Sequence, residues 1–193
     1  YLPLLWAAYL PATPLVNLSE TGVGAGAIAG VLLYEFGMYV WHRAMHSSDF
    51  LWRVFHQMHH SAERLDTYGA FYFSPLDMVG WTALGTVCFS VIMGLNPQSV
   101  TVILLVTNFF SIFQHANINT PRWLGYIIVR PEMHRVHHEK DQHRNNYGLP
   151  VWDMLFGTYE NSMRSVVCGF TREQEEQVLP MLLFKHADRQ LGP

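Results

Sequence analysis

The stretch YEFGMYVWHRAMHSSDFLWRVFHQMHH, residues 34–60, decides how this chain is read. It begins inside an apolar run and ends in histidines. Traced backward, the run reaches about Gly22 and carries one ionisable group, Glu35. Roughly 20 such residues are enough for a helix to cross a bilayer. Traced forward, His42 and His46 stand four apart, and His56, His59 and His60 repeat the spacing i, i+3, i+4. Such positions share a helix face. Each cluster is therefore expected to aim its imidazoles in one direction, just beyond the end of a span.

The rest of the chain repeats this arrangement. Apolar runs lie at about Met78 to Leu95 and Pro97 to His115, separated by Gly94-Leu95-Asn96-Pro97. Those four residues read as a tight turn between antiparallel helices. Leu2 to Leu18 is also apolar but is interrupted by Pro3, Pro11 and Pro14, which fits a broken, re-entrant or interfacial segment. Half of the 193 residues are hydrophobic and 14% are charged, against about 25% charged in soluble domains. The expected fold is all-α and integral to the membrane. It has three to four transmembrane helices and a cytoplasmic helical cap that carries a histidine-ligated dimetal site. The alternative for the two later runs is a pair of buried helices in a soluble core.

Charge orients the spans. All 12 Lys and Arg fall either at Arg43, Arg53 and Arg64 or from Arg122 onward. By the positive-inside rule both regions face the cytoplasm. A hairpin entering at Met78 and returning at His115 ends on the side it left, so residues 42–77 and 115–193 share that side. The formal net charge of -3 gives nucleic acid no purchase. Cys88 and Cys168 are far apart and form neither a disulfide framework nor a thiolate metal site. The first 22 residues contain no Lys or Arg, so no secretory leader is expected. Leu191-Gly192-Pro193 is no retention signal, which favours a bacterial inner membrane over the endoplasmic reticulum.

A third cluster, His134, His137 and His138, falls on the same side, and His115 ends the last span there. His115 is either a helix-end residue at the headgroups or a further ligand. Imidazole suits Fe, Zn, Cu and Ni. Eight or nine donors exceed the positions around one ion, whereas two ions use them and leave room for oxygen or water. The zinc-protease signature H-E-x-x-H is absent. Many histidines with few carboxylates suit redox iron better than hydrolytic zinc. Two other readings stay open: a membrane zinc-dependent hydrolase, and a non-enzymatic histidine-lined metal-binding or transport protein.

In their order and spacing, H-x3-H, H-x2-H-H and again H-x2-H-H, the clusters resemble the fatty acid hydroxylase/sterol desaturase superfamily. So do Tyr39-Val40-Trp41-His42-Arg43, Asn146-Tyr147-Gly148, Trp152-Asp153 and Phe156-Gly157-Thr158. The resemblance covers roughly residues 30–160. It implies two irons, O2 as oxidant, a lipid substrate such as a sterol or fatty acyl chain, and hydroxylation or desaturation of a C–H bond. It also implies electrons from a separate donor, a ferredoxin or a cytochrome b5-like protein. Carried over by position, the ligands are His42, His46, His56, His59, His60, His134, His137 and His138, with His115 matching an additional span-end histidine. The fatty acid 2-hydroxylase branch has a further histidine four residues on, where this chain has Asn119. Zinc in a purified sample is also compatible with the set.

Five residues are candidates to stand behind the ligands: Glu35, Asn119, His143, Asn146 and Asp153. Glu35 lies two helical turns before His42 on its face and is expected to accept from a ligand imidazole, or else to bond a neighbouring helix. Asp77, after Ser74-Pro75, reads as a helix-start residue. His186 reads as solvated. Phe71, Tyr72, Phe73, Phe109, Phe110 and Phe113 border the clusters as packing residues or as walls of an apolar channel. Residues 1–163 read as the membrane domain with its cap, and 164–193 as a peripheral tail.

Overall fold

The computed structural model describes residues 5–170 and 174–187. Helix α1 (Val23–Ser47) is 25 residues long, about 38 Å at 1.5 Å per residue. After Ser48, α2 starts as Asp49–Leu51, continues through a π-helical stretch Trp52–His56 and ends as Gln57–His60. Helix α3 (Pro75–Thr86) also runs on into a π-helical stretch, Val87–Ile92. Helix α4 is Pro97–Gln114, α5 is Pro131–His137, α6 is Pro150–Phe156 and α7 is Gln174–Leu182. The described residues contain no β-strand, only one isolated bridge between Glu139 and Cys168.

Local chemistry sets the helix starts. Pro75, Pro97, Pro131 and Pro150 each open a helix, where proline loses no hydrogen bond and its fixed φ is already helical. Ser74 caps α3 by accepting from Asp77 N–H, and Asn96 caps α4 by accepting from Ser99 N–H. The Asn96 amide also donates to the Ser19 and Thr21 carbonyls. Between these helices Gly94 turns the chain at φ +51, a region that favours glycine.

Three helices, α1, α3 with its continuation, and α4, are long and apolar enough to cross a membrane. Only 17% of the apolar window of each later span is buried. Leu104, Leu105, Phe109 and Ile112 on α4 point outward. A soluble core helix buries such residues, whereas a span leaves them to lipid, so the soluble alternative fails. Of the fourth span that the sequence allowed, the described residues hold helical Leu5 and Trp6 and a 3-10 turn, Ala7–Tyr9, and no further helix forms before Val23. Leu15, Val16 and Leu18 then donate to the carbonyls of Val91, Ile92 and Met93.

Small residues bring α1 against α4. A Cβ on Gly30 would lie 2.2 Å from Ile103 Cδ1, and one on Gly26 would lie 2.6 Å from Ser99 Oγ. Close backbone approach of this kind is how spans associate where lipid removes the hydrophobic drive. Away from the spans, Trp52 of α2 packs with Phe170, Met181 and Ala187. The chain beyond Arg164 thus returns to the cap and is anchored there. His186 is no solvated bystander: its Nε2 lies 2.7 Å from Asp49.

Candidate metal centre

Nine buried or half-buried histidines converge in two groups. His42, His46, His56, His60 and His137 place one ring nitrogen each within 4.8 Å of one another, and so do His59, His115, His134 and His138. Neither group contains a carboxylate. All nine sequence candidates are present, but the clusters do not point the way their spacing suggested. Members four apart stay together: His42 with His46, His56 with His60, and His134 with His138. The member three along crosses over, so His59 joins His134 and His138 while His137 joins His56 and His60. Each H-x2-H-H motif therefore straddles both groups. The rings of His60 and His138 stack at 4.1 Å across the divide.

The backbone sets several ring orientations. His42 Nδ1 lies 2.8 Å from the Tyr147 carbonyl, His137 Nδ1 lies 2.6 Å from that of Asn145, and His115 Nδ1 lies 2.8 Å from that of Ser111. A carbonyl only accepts, so each Nδ1 carries the proton and each Nε2 keeps its lone pair. Burial lowers the basicity of His56, His59, His60, His134, His137 and His138 well below the ordinary histidine range, and neighbouring imidazoles lower it further. Burial takes His115 down to about 4. These imidazoles are neutral at pH 7, the form that ligates metal.

The donor set fits metal ions on two counts. The Nε2 atoms of His42, His46, His56, His60 and His137 are buried without a hydrogen-bond partner, an arrangement that is expensive unless something fills it. In the other group His134 Nε2 lies 3.1 Å from both His115 Nε2 and His138 Nε2. Adjacent nitrogens around one ion at about 2.1 Å are also about 3 Å apart.

The expected supporting residues divide. Asp153 accepts from Tyr147 N–H, Gly148 N–H and Thr158 Oγ. It fixes the loop whose Tyr147 carbonyl orients His42. Burial raises its pKa to about 6. Asn146 donates to the Met133 and Glu160 carbonyls and accepts from Glu160 N–H, tying that loop to α5. His143 lies beside the centre, its ring 4.9 Å from His60, but joins neither group. Asn119 is exposed. Glu35 is buried, with Oε1 lacking a hydrogen-bond partner; the Tyr147 carbonyl takes the place expected of it at His42.

Sequence reasoning missed three features. Asp77 is fully buried, 3.6 Å from His56 Nδ1. A carboxylate immediately before an apolar run was the available signal. Trp52 contacts the rings of His46 and His60 at 5.1 Å each. Arg130 is buried, donating to Asn161 and Thr120 and paired with Glu132, which in turn accepts from Thr120 N–H. This network holds the start of α5, which bears two of the nine histidines and leads directly into a third, His138.

A cavity of about 530 Å³ opens beside the centre. His42, His59, His115 and His134 line one end of it. It follows α3 from Met78 to Ser90, about 18 Å at the helical rise, and its far wall is α4 from Val100 to Ser111. Its lining is mainly apolar and includes Phe71 and Phe73. Tyr72, Phe109, Phe110 and Phe113 lie outside it.

Comparison with known proteins agrees with this arrangement. Residues 27–158 match the family described as fatty acid hydroxylase. Among curated relatives, the ornithine lipid hydroxylase OlsE of Rhizobium tropici is 34% identical over 142 residues, covering 71% of this chain and 42% of the relative. The alkylglycerol monooxygenase of Homo sapiens is 33% identical over 144 residues, covering 71% and 31%. Sphinganine C4-monooxygenase 1 of Arabidopsis thaliana is 23% identical over 137 residues, covering 68% and 53%. The chain thus spans about a third to a half of these relatives. No solved structure matches. With all three histidine motifs inside the matched region, the chain belongs to the fatty acid hydroxylase family.

Proposed function

We propose that this protein is an oxidoreductase that uses two irons and O2 to oxidise a C–H bond of a membrane lipid, with hydroxylation favoured over desaturation. One observation carries the reading: histidines of both all-histidine groups, His42 of one and His59, His115 and His134 of the other, line an apolar cavity between membrane-spanning helices. The names of the relatives, lipid hydroxylase and monooxygenases, support it.

His42, His46, His56, His60 and His137 would hold one iron, and His59, His115, His134 and His138 the other. Two irons held there would supply the reductive activation of O2, with electrons from an external ferredoxin or cytochrome b5-like donor. The chain supplies position and exclusion of water. The walls of α3 and α4 take an extended hydrocarbon from the bilayer and present one carbon to the histidine end. The apolar lining keeps bulk water from the reacting carbon. The Tyr147, Asn145 and Ser111 carbonyls hold three imidazoles in the metal-binding tautomer. The Arg and Lys distribution supports a cytoplasmic centre.

Lipid profiling of membranes from cells with and without the protein tests this. The expected change is a lipid that gains one oxygen atom or loses two hydrogens. A product of ester or amide cleavage would instead establish the hydrolase. An unchanged lipidome with altered metal accumulation would establish the metal handler.

A further inference from the structure

We infer that Asp77 is a positioning residue for the five-histidine metal: it accepts the His56 Nδ1 proton and so fixes His56 to bind metal through Nε2. The inference rests on the reading that these histidines hold metal and adds a role to a residue outside them.

Asp77 lies in the first turn of α3, on a helix that enters the membrane, and its exposure is 0%. Neither carboxylate oxygen has a hydrogen-bond partner. A buried carboxylate without compensation is strongly disfavoured. His56 Nδ1 lies 3.6 Å from Oδ2, an ion-pair distance rather than a hydrogen bond, and the Trp81 indole N–H, one helical turn on, is the other donor that acts on the carboxylate. Both His56 nitrogens are buried and also unpartnered. A cation on Nε2 resolves three of these four orphaned atoms together, leaving only Asp77 Oδ1. It forces the proton onto Nδ1, acidifies that N–H, and draws it to the carboxylate.

His56 differs in this from the other ligands whose Nδ1 partner is defined. His42, His137 and His115 meet backbone carbonyls, which are neutral. His56 meets a carboxylate. With neither group containing an acidic ligand, Asp77 also offsets part of the positive charge that two cations bring. A carboxylate behind a ligating imidazole raises its donor strength, so the two metals are inequivalent.

The test is cobalt titration of the metal-free full chain in nanodiscs, followed by absorption spectra. Wild type binds two Co2+. D77N should still bind two, with one of them weakened about 10- to 100-fold and its ligand-field bands shifted, while the other is unchanged. D77E should recover part of the loss. In an H56A background, D77N should cause no further loss, because Asp77 acts through His56. Unchanged affinity and spectra in D77N, or additive losses in the double variant, overturn the inference and leave the metal reading intact. A wild-type chain that binds no Co2+ overturns both. If D77N does not fold, Zn2+-loaded wild type labelled with 15N-histidine decides. One Nδ1 proton should resonate downfield of those bound to carbonyls, and its absence overturns the inference.

Discussion

The centre is built from neutral imidazoles, and their neutrality is a product of burial. Histidine in an unfolded chain takes up a proton near pH 6.5. Here His56, His59, His60, His134, His137 and His138 are held well below that, and His115 at about 4. Below pH 6.5 the unfolded state therefore binds more protons than the folded one, and stability falls as pH falls. Metal-free protein should lose stability from about pH 6.5 toward 4, by up to about 1.4 kcal/mol per histidine per pH unit. Thermal melts across that window check this, and bound metal should move the loss to lower pH. The sequence disclosed which residues gather but not how they sort. Spacing of i, i+3, i+4 gives a shared face, and a face wide enough for three rings is wide enough for two ions. That geometry sends His59 and His137 to the opposite group from the two other histidines of their own motifs. Consequently H46A should lose one metal and H138A the other, each with a fall in turnover beyond 100-fold, measured as metal per chain and product formed.

At the scale of elements, Gly and Pro were the readable signals. Gly94 marked the turn, and Pro75 and Pro97 marked the helix starts that the structure shows. The packing of α1 on α4 was not readable, because a glycine in an apolar run does not declare its partner. Gly30 has no space for a side chain beside Ile103. G30L should destabilise the fold by about 1–3 kcal/mol, read as a lower melting temperature in detergent, and an α4 variant, I103A, should restore part of it. The π-helical stretch in α2 was equally hidden, since no residue type specifies it. Asp77 is the helix-start residue the sequence suggested, its N–H bonded by the capping Ser74. Its side chain serves a different end.

For the molecule as a whole, three spans deliver the histidines to one end and a soluble-facing cap closes over them. Hydropathy and the Arg/Lys map carried most of that outline. What they could not carry is long-range pairing: the Arg130, Glu132, Thr120 and Asn161 network links segments up to 31 residues apart, and Trp52 with Phe170 and Met181 brings the end of the chain onto α2. R130A leaves Glu132 buried without its cation. It should lower stability by about 3–5 kcal/mol and reduce metal retention by loosening α5, measured by denaturant unfolding and metal analysis. The most direct measurement on the whole protein is turnover of the iron-loaded chain in lipid nanodiscs with a reductant and isotopically labelled O2, alongside metal analysis. The account predicts two irons per chain and one labelled oxygen atom in a lipid alcohol, or a matching alkene with the label in water. Tight zinc with lipid cleavage, or reduced iron that leaves both O2 and lipid unchanged, would contradict it.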